Sequence, residues 1–355
     1  MKPILYIKGR SEKDVRLQKF IKFFQSRNIE VNFWGWNRMK SHDNKDRTIK
    51  YLFSGGGAGN KILLLYYPLW MAILFLKVLF TKSLSKYTII AINYECGFPL
   101  YLASRIKKIN YIYEIYDEFA ISHKFPSFLK NWLIKSDKKI MNKADFVIHV
   151  DKNRIRYKEC KSIVIENTPY DYFEGEKRNY DGLSLTFAVT GMLSQTRGIE
   201  QIYKFASNNP CISFLVVGVF YDTKFKQQLL SLPNVSFHEK VPQNILFSMI
   251  KNCCGIFSLY SPCIEINKLA ASNKVYDAMM LGIPVITNQE VINSKFIKDS
   301  EVGIVVDYNY NESWDVLCSE NYLEKAKYIG QKGRKLYLDQ FFFDTLVLKR
   351  LLPLL

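Results

Sequence analysis

Short apolar runs alternate with amphipathic stretches from the first residues onward. Pro3-Ile4-Leu5-Tyr6-Ile7 has strand length, and residues 12–27 set Val15, Leu17, Phe20, Ile21 and Phe24 at helical spacing. Residues 29–34, 48–53, 87–92, 111–115, 144–150 and 163–165 repeat the strand signal, with helical patterns between most of them. Such alternation predicts a parallel sheet covered on both faces. After a polar, turn-rich stretch at 171–183 the pattern restarts, with strands at 185–189, 212–217, 235–238, 255–259 and 285–287. Helices are expected at 199–207, 225–230, 245–251 and 273–281. The last of these stops at Leu281-Gly282-Ile283-Pro284, where glycine supplies a left-handed residue and proline forbids continuation. The pattern predicts two α/β units, residues 1–170 and 171–340, with an apolar tail at 341–355, and ligands at the carboxyl ends of strands facing a cleft. Residues 62–80 are nearly all apolar, but Pro68 and Lys77 interrupt them, so they are expected to form a largely buried helix of the first unit, with membrane contact as the alternative.

A length of 355 residues suits two domains, and 48% hydrophobic with 23% charged residues excludes both a disordered chain and a multi-span membrane protein. Seven cysteines behind an N-terminus without a signal peptide read as reduced thiols in a cytoplasm. The net charge of +17 is unevenly placed: residues 1–180 hold 33 Lys/Arg against 17 Asp/Glu, and residues 181–355 hold 17 against 16. A solubility surface would spread the excess over both halves. An anionic partner for the first half, membrane surface or nucleic acid, explains the asymmetry. Phe128 and Trp132 lie among Lys135, Lys138 and Lys139, a mixture that suits an interfacial helix on anionic lipid. An ordinary amphipathic helix with a solvated basic face would read the same way. No nucleic-acid module motif is present, so no nucleic-acid partner is expected.

The densest chemistry lies at 272–286. Ser272 or Asn273 can cap a helix whose first turns carry Lys274 and Asp277 on one face. A helix N-terminus with a lysine favours phosphate, and the carboxylate can accept from ribose hydroxyls. A surface ion pair would carry the same two residues. Asp117 follows the strand at 111–115, where it can orient or deprotonate a hydroxyl or merely cap the next segment. Gly55-Gly56-Gly57-Ala58-Gly59-Asn60-Lys61 lacks the spacing of a phosphate loop and reads as a connection. No Asp-x-Asp occurs, and His42, His123, His149 and His238 have no ligand spacing, so no metal and no cofactor is expected.

Taken as a phrase, Asn273-Lys274-x-x-Asp277-Ala278-Met279-x-x-Gly282-x-Pro284-Val285-Ile286 resembles the nucleotide-sugar signature of GT-B retaining glycosyltransferases of family 4, which usually have Glu at the Asp277 position. Thr190-Gly191-Met192-Leu193-x-x-x-Arg197-Gly198-Ile199 resembles their phosphate loop, with Met192 in place of an arginine and Arg197 in place of a lysine. The 255–262 run, with Tyr260, resembles the loop before the signature helix. In the first half, Asp14-Val15-Arg16 beside Lys8-Gly9-Arg10, Tyr113-Glu114-Ile115-Tyr116-Asp117-Glu118, Ala144-Asp145-Phe146-Val147-Ile148 and Ile165-Glu166-Asn167-Thr168-Pro169 follow in the family's order. Leu269 stands eight residues before Asp277, where classical members place a sugar-binding glutamate; Glu265 and Asn267 are the nearby polar residues.

The resemblance implies a GT-B fold, two Rossmann-like domains facing across a cleft, with the tail returning toward the N-terminal domain. It implies a metal-independent, hexosyl-type retaining transferase that takes a nucleotide-diphosphate sugar, a UDP-sugar first among them. Arg197 and Lys274 would hold the diphosphate, Asp277 the ribose, and Gly191, Tyr260 and Asn273 would complete the donor site. Gly9 and Asp117 would face the reaction from the other domain. The acceptor would be a lipid-linked glycan of bacterial surface polysaccharide synthesis, reached from the inner face of the membrane. A nucleotide-sugar epimerase on the same architecture and a basic nucleic-acid-binding protein are the rival readings.

Overall fold

A computed structural model describes residues 1–38, 46–56, 63–123, 125–176, 179–269 and 272–355. The connection expected at 55–61 falls largely outside the described residues. The chain divides into two units, Met1–Glu166 with Leu346–Leu355, and Asn167–Thr345.

The first unit is built on β1 (Ile4–Lys8), β2 (Val31–Asn37), β3 (Ile49–Ser54), β4 (Thr88–Ile92), β5 (Ile112–Ile115), β6 (Val147–His149) and β7 (Ser162–Val164). All pairings are parallel, in the order β3-β2-β1-β4-β5-β6-β7. The inner strands are buried along their whole length, which explains why they read as unbroken apolar runs. α1 (Val15–Gln25) covers one face, with Phe20 against Tyr6. α2 (Leu63–Phe80), α3 (Tyr94–Ser104) and α5 (Ser127–Lys143) cover the other, and the short α4 (Phe119–Ser122) joins them. In the terminal segment, Arg350 donates to Val164 O at 2.9 Å and to Glu166 at 2.8 Å.

The second unit repeats the plan with β8 (Ser184–Leu193), β9 (Ser213–Phe220), β10 (Val235–Glu239), β11 (Cys253–Ser258), β12 (Val285–Asn288) and β13 (Gly303–Val306), ordered β10-β9-β8-β11-β12-β13 and parallel throughout. Its helices are α6 (Ile199–Asn208), α7 (Thr223–Leu230), α8 (Gln243–Ile250), α9 (Glu265–Lys268), α10 (Asn273–Leu281), α11 (Ser294–Asp299), α12 (Tyr322–Leu336) and α13 (Phe343–Leu346). α10 starts and stops as its sequence predicts, between Ser272 and a left-handed Gly282. Arg334 on α12 grips Asp171 with two bonds, of 3.0 and 2.6 Å.

The expectation of a largely buried helix at 62–80 needs correction. Tyr67, Trp70, Leu74 and Val78 are buried, but Leu65, Leu69, Leu76 and Phe80 are exposed. A helix resting on a sheet buries one side only, and this one is apolar on both.

Candidate functional site

In each unit the strand order reverses once, at β1/β4 and at β8/β11, and loops leaving such a point in opposite directions open a crevice at the carboxyl ends of the strands. The phosphate, ribose and acceptor candidates from the sequence follow these strand ends or open the next helix, whereas Phe128, Trp132, Lys135, Lys138 and Lys139 lie on α5.

In the second unit, β8 runs up to Gly191, whose φ of +87° is a conformation that side chains resist; a Cβ there would touch nothing within 4 Å. On neighbouring β9 a Cβ at Gly218 would instead strike the carbonyl oxygen of Gly191. The turn Gln195–Arg197 then leads into α6. Across the crevice, β11 passes through Tyr260 to α10. Two links hold the loops in register: Ser261 N donates to Thr196 O at 3.0 Å, and the Tyr308 hydroxyl donates to Gln195 O at 2.9 Å. Fully buried Asn288 clamps Tyr260 by accepting from its N at 2.9 Å and donating to its O at 3.1 Å. Thr287 donates to Ser258 O at 3.0 Å, and Ser258 donates to Ser272, whose hydroxyl caps α10.

This scaffold brings two cations together. The Arg197 guanidinium lies 4.1 Å from the Tyr260 ring centroid, and its Nη1 is buried with no hydrogen-bond partner. Half-buried Lys274 donates to Phe257 O at 3.2 Å. Burial pushes its pKa down to about 8, the Arg197 charge adds to the fall, and Asp277 opposes it. Buried charges and donors are normally matched. Here a guanidinium N–H has no acceptor among the described residues and a lysine carries its charge at a cost, so the site is short of an anion. Asn273 is exposed at the first turn of α10 and Met192 is half-exposed. Asn267 is spent on Ser261 O at 3.1 Å, while Glu265 is exposed on α9.

In the first unit a buried ionic network links two of the sequence motifs. Asp14 caps α1 and pairs with Lys8 at 3.0 Å; Arg16 pairs with Glu114 at 2.9 Å and donates to Ile165 O and Glu166 O. Lys8 also lies 4.3 Å from the Tyr116 ring centroid. Asn93, with φ of +62°, bridges the ends of β4 and β5 by accepting from Tyr116 N at 2.8 Å. Asp117 is 71% exposed and pairs with Arg154 at 3.3 Å; the cap position of α4 belongs to Glu118. At Gly9 a Cβ would lie 2.8 Å from both Cγ and Oε1 of Glu95. Glu95 is a buried carboxylate in the first turn of α3, and burial pushes its pKa up against the pull of Arg38, Arg10 and Lys8. Sequence reasoning missed Glu95, as it missed Asn288 and Tyr308. The one available signal was an acid in an otherwise apolar stretch just after a strand.

On α5, Phe128 and Trp132 are exposed, as are Lys135 and Lys139, whereas Lys138 is tied to Glu159 at 2.7 Å. Among the described residues no three His, Cys, Asp or Glu side chains gather as metal ligands.

Neither a protein-family model nor a curated protein sequence matches the chain. Solved structures do match its fold over nearly the whole length. Sucrose-phosphate synthase from Thermosynechococcus elongatus superposes with a TM-score of 0.72 at 13% identity, covering 98% of this chain and 97% of that one. HepE from Anabaena, solved with UDP, gives 0.67 at 14% identity with 97% of each chain covered. WaaG, a glycosyltransferase involved in lipopolysaccharide biosynthesis, gives 0.63 at 12% identity, again covering 97% of each. Two parallel-sheet domains of this order are the GT-B fold of these glycosyltransferases, and the chain has that fold.

Proposed function

We propose that the protein is a metal-independent, retaining glycosyltransferase that moves a sugar from a nucleotide diphosphate, UDP first among the candidates, to a lipid-linked glycan acceptor. The observation that carries this reading is the anion-short pair Arg197 and Lys274 at the carboxyl ends of β8 and β11. A diphosphate would supply the acceptor that Nη1 lacks and offset the cost of charge on Lys274. HepE's solution with UDP supports a uridine donor.

Loss of a nucleoside diphosphate from an anomeric carbon places negative charge on the departing phosphate while the sugar becomes oxocarbenium-like. Arg197 and Lys274, fixed beforehand by Tyr260 and by Phe257 O, meet that charge without reorganisation, and removing one such donor costs about 10²–10³ in rate. Gly191 leaves its backbone open to close approach, while Asp277 and Asn273 at the start of α10 suit the ribose. On the acceptor side we assign Asp117, which like Gly9 follows a strand end of the first unit, to orient the attacking hydroxyl. The cationic first unit, with Phe128 and Trp132 exposed on α5, supports work at the inner face of a membrane and a role in surface polysaccharide synthesis, as does the likeness to WaaG.

A thermal-shift series with UDP, GDP, ADP and CMP tests the donor site. One diphosphate should stabilise the wild type and leave Lys274→Ala unmoved, and transfer from the matching sugar nucleotide to an extracted lipid acceptor should follow. A flat response to every nucleotide removes the reading. Sugar inversion at C2 or C4 without an acceptor would install the epimerase instead.

A further inference from the structure

α2 has two apolar faces. Tyr67, Trp70, Leu74 and Val78 pack inward, and Leu65, Leu69, Ala72, Leu76 and Phe80 form a ridge along the outer side. Leu65 is 73% exposed and Phe80 80%. A surface helix of a water-facing domain carries polar residues on this side, yet Lys77 is the only charged residue in the helix. The apolar surface continues beyond α2. α2 packs on α3 and α3 on α5, and the layer also exposes Leu102 and Ile106 after and along α3 and Phe128 and Trp132 on α5. An exposed apolar surface of this extent marks an interaction site.

Its surroundings are of one sign. Residues 63–108 and 127–143 hold 11 Lys/Arg against two acids, Glu95 and Asp137. Glu95 is buried, and Asp137 accepts from the Tyr113 hydroxyl at 2.7 Å. Lys107 is spent on the carbonyls of Val78, Leu79 and Thr81, closing the end of α2, while Arg105, Lys108, Lys130, Lys135 and Lys139 are exposed. A second copy of the chain would oppose two such cationic faces. A nucleic acid would answer the charge and leave the ridge of Leu65 to Phe80 in water. An anionic bilayer answers both: acyl boundary for the ridge, headgroups for the lysines. No helix among the described residues is long and apolar enough to cross a membrane, and α2 rests on the sheet along its inner side, so the contact lies in the interface plane.

We infer that the outer layer of α2, α3 and α5 docks on anionic lipid, with the α2 ridge as the element that enters the headgroup–acyl boundary. This rests on the membrane reading above and moves the insertion from α5 to α2. The test is co-sedimentation of the full chain with phosphatidylglycerol–phosphatidylcholine vesicles against pure phosphatidylcholine. Wild type should pellet with the anionic vesicles, and Leu65→Gln with Phe80→Gln should weaken partitioning about tenfold or more at unchanged net charge. Leu76→Gln with Ile106→Gln, an independent pair, should act in the same direction. Circular dichroism checks the fold of each pair, and nucleotide stabilisation should survive in both. Undiminished pelleting of the folded pairs leaves the hold to α5 and overturns the inference while sparing the membrane reading. No pelleting of wild type overturns both, and the donor reading is judged separately by its own nucleotide series. Dimerisation in light scattering that these substitutions abolish would give the ridge to a second copy and likewise overturn the inference.

Discussion

Replacing Lys274 by methionine should stabilise the ligand-free protein and abolish its response to nucleotide. The wild-type lysine titrates at about 8 instead of an ordinary 10.5, because burial and the Arg197 charge disfavour its protonated form. Each factor of ten in proton affinity is worth about 1.4 kcal/mol, so carrying the charge at pH 7 costs the fold about 3 kcal/mol. Methionine removes that cost but leaves Phe257 O without its donor, which returns about 1–2 kcal/mol. The net gain is then about 1–2 kcal/mol. The sign with pH follows from the depressed folded value. The cost is fully present below pH 8 and fades as pH rises toward 10.5, so the advantage of the variant shrinks over that window. Nucleotide works the other way, since a bound diphosphate favours the charged lysine, and wild-type affinity should fall as pH rises through 8. Urea denaturation at pH 7 and pH 9, with and without UDP, measures all three effects. A Lys274→Met protein that is less stable without ligand and still gains from UDP would refute the account of this lysine as a cation held for an anion.

Three further outcomes follow from other parts of the structure. Arg197→Lys keeps the charge but loses the guanidinium over the Tyr260 ring and the fork of donors, so turnover should fall about 10²-fold with stability little changed, as steady-state kinetics beside thermal melts would show. Arg16→Met leaves Glu114 buried and unpaired and should cost about 3–5 kcal/mol in urea denaturation; a loss below 1 kcal/mol would mean the pair is idle. Gly9→Ala drives a methyl against Glu95, so acceptor-dependent turnover should drop while UDP stabilisation is retained, and loss of both would place Gly9 in the fold's integrity.

Much of the architecture was legible because parallel strands buried on both faces announce themselves as apolar runs, and because α10 carries its own start and stop in Ser272 and Gly282. The two cations of the candidate site stood out in the sequence because Arg197 follows β8 by a few residues and Lys274 opens α10, inside phrases with recognisable order. What holds them was not. Asn288 reaches Tyr260 across 28 positions and Tyr308 reaches Gln195 across 113, and no local pattern marks such partners. Glu95 was hidden because its meaning depends on Gly9, far away in the chain and adjacent in space. α2 was misjudged for a different reason. Periodicity separates inside from outside only when the outside is polar, and here Tyr67, Trp70, Leu74 and Val78 inside are matched by Leu65, Leu69, Leu76 and Phe80 outside.

The paired glycines of β8 and β9 constrain how this protein could be re-engineered. At Gly218 an added side chain would meet main chain at Gly191, and main chain cannot rotate aside or be trimmed by a compensating mutation. That lip of the second unit therefore resists substitution at both positions, at Gly218 by the clash with main chain and at Gly191 by its φ of +87°. On the proposed donor reading, a library aimed at new sugar nucleotides gains more by randomising Met192 and Asn273, which are exposed, while this glycine pair is kept as found.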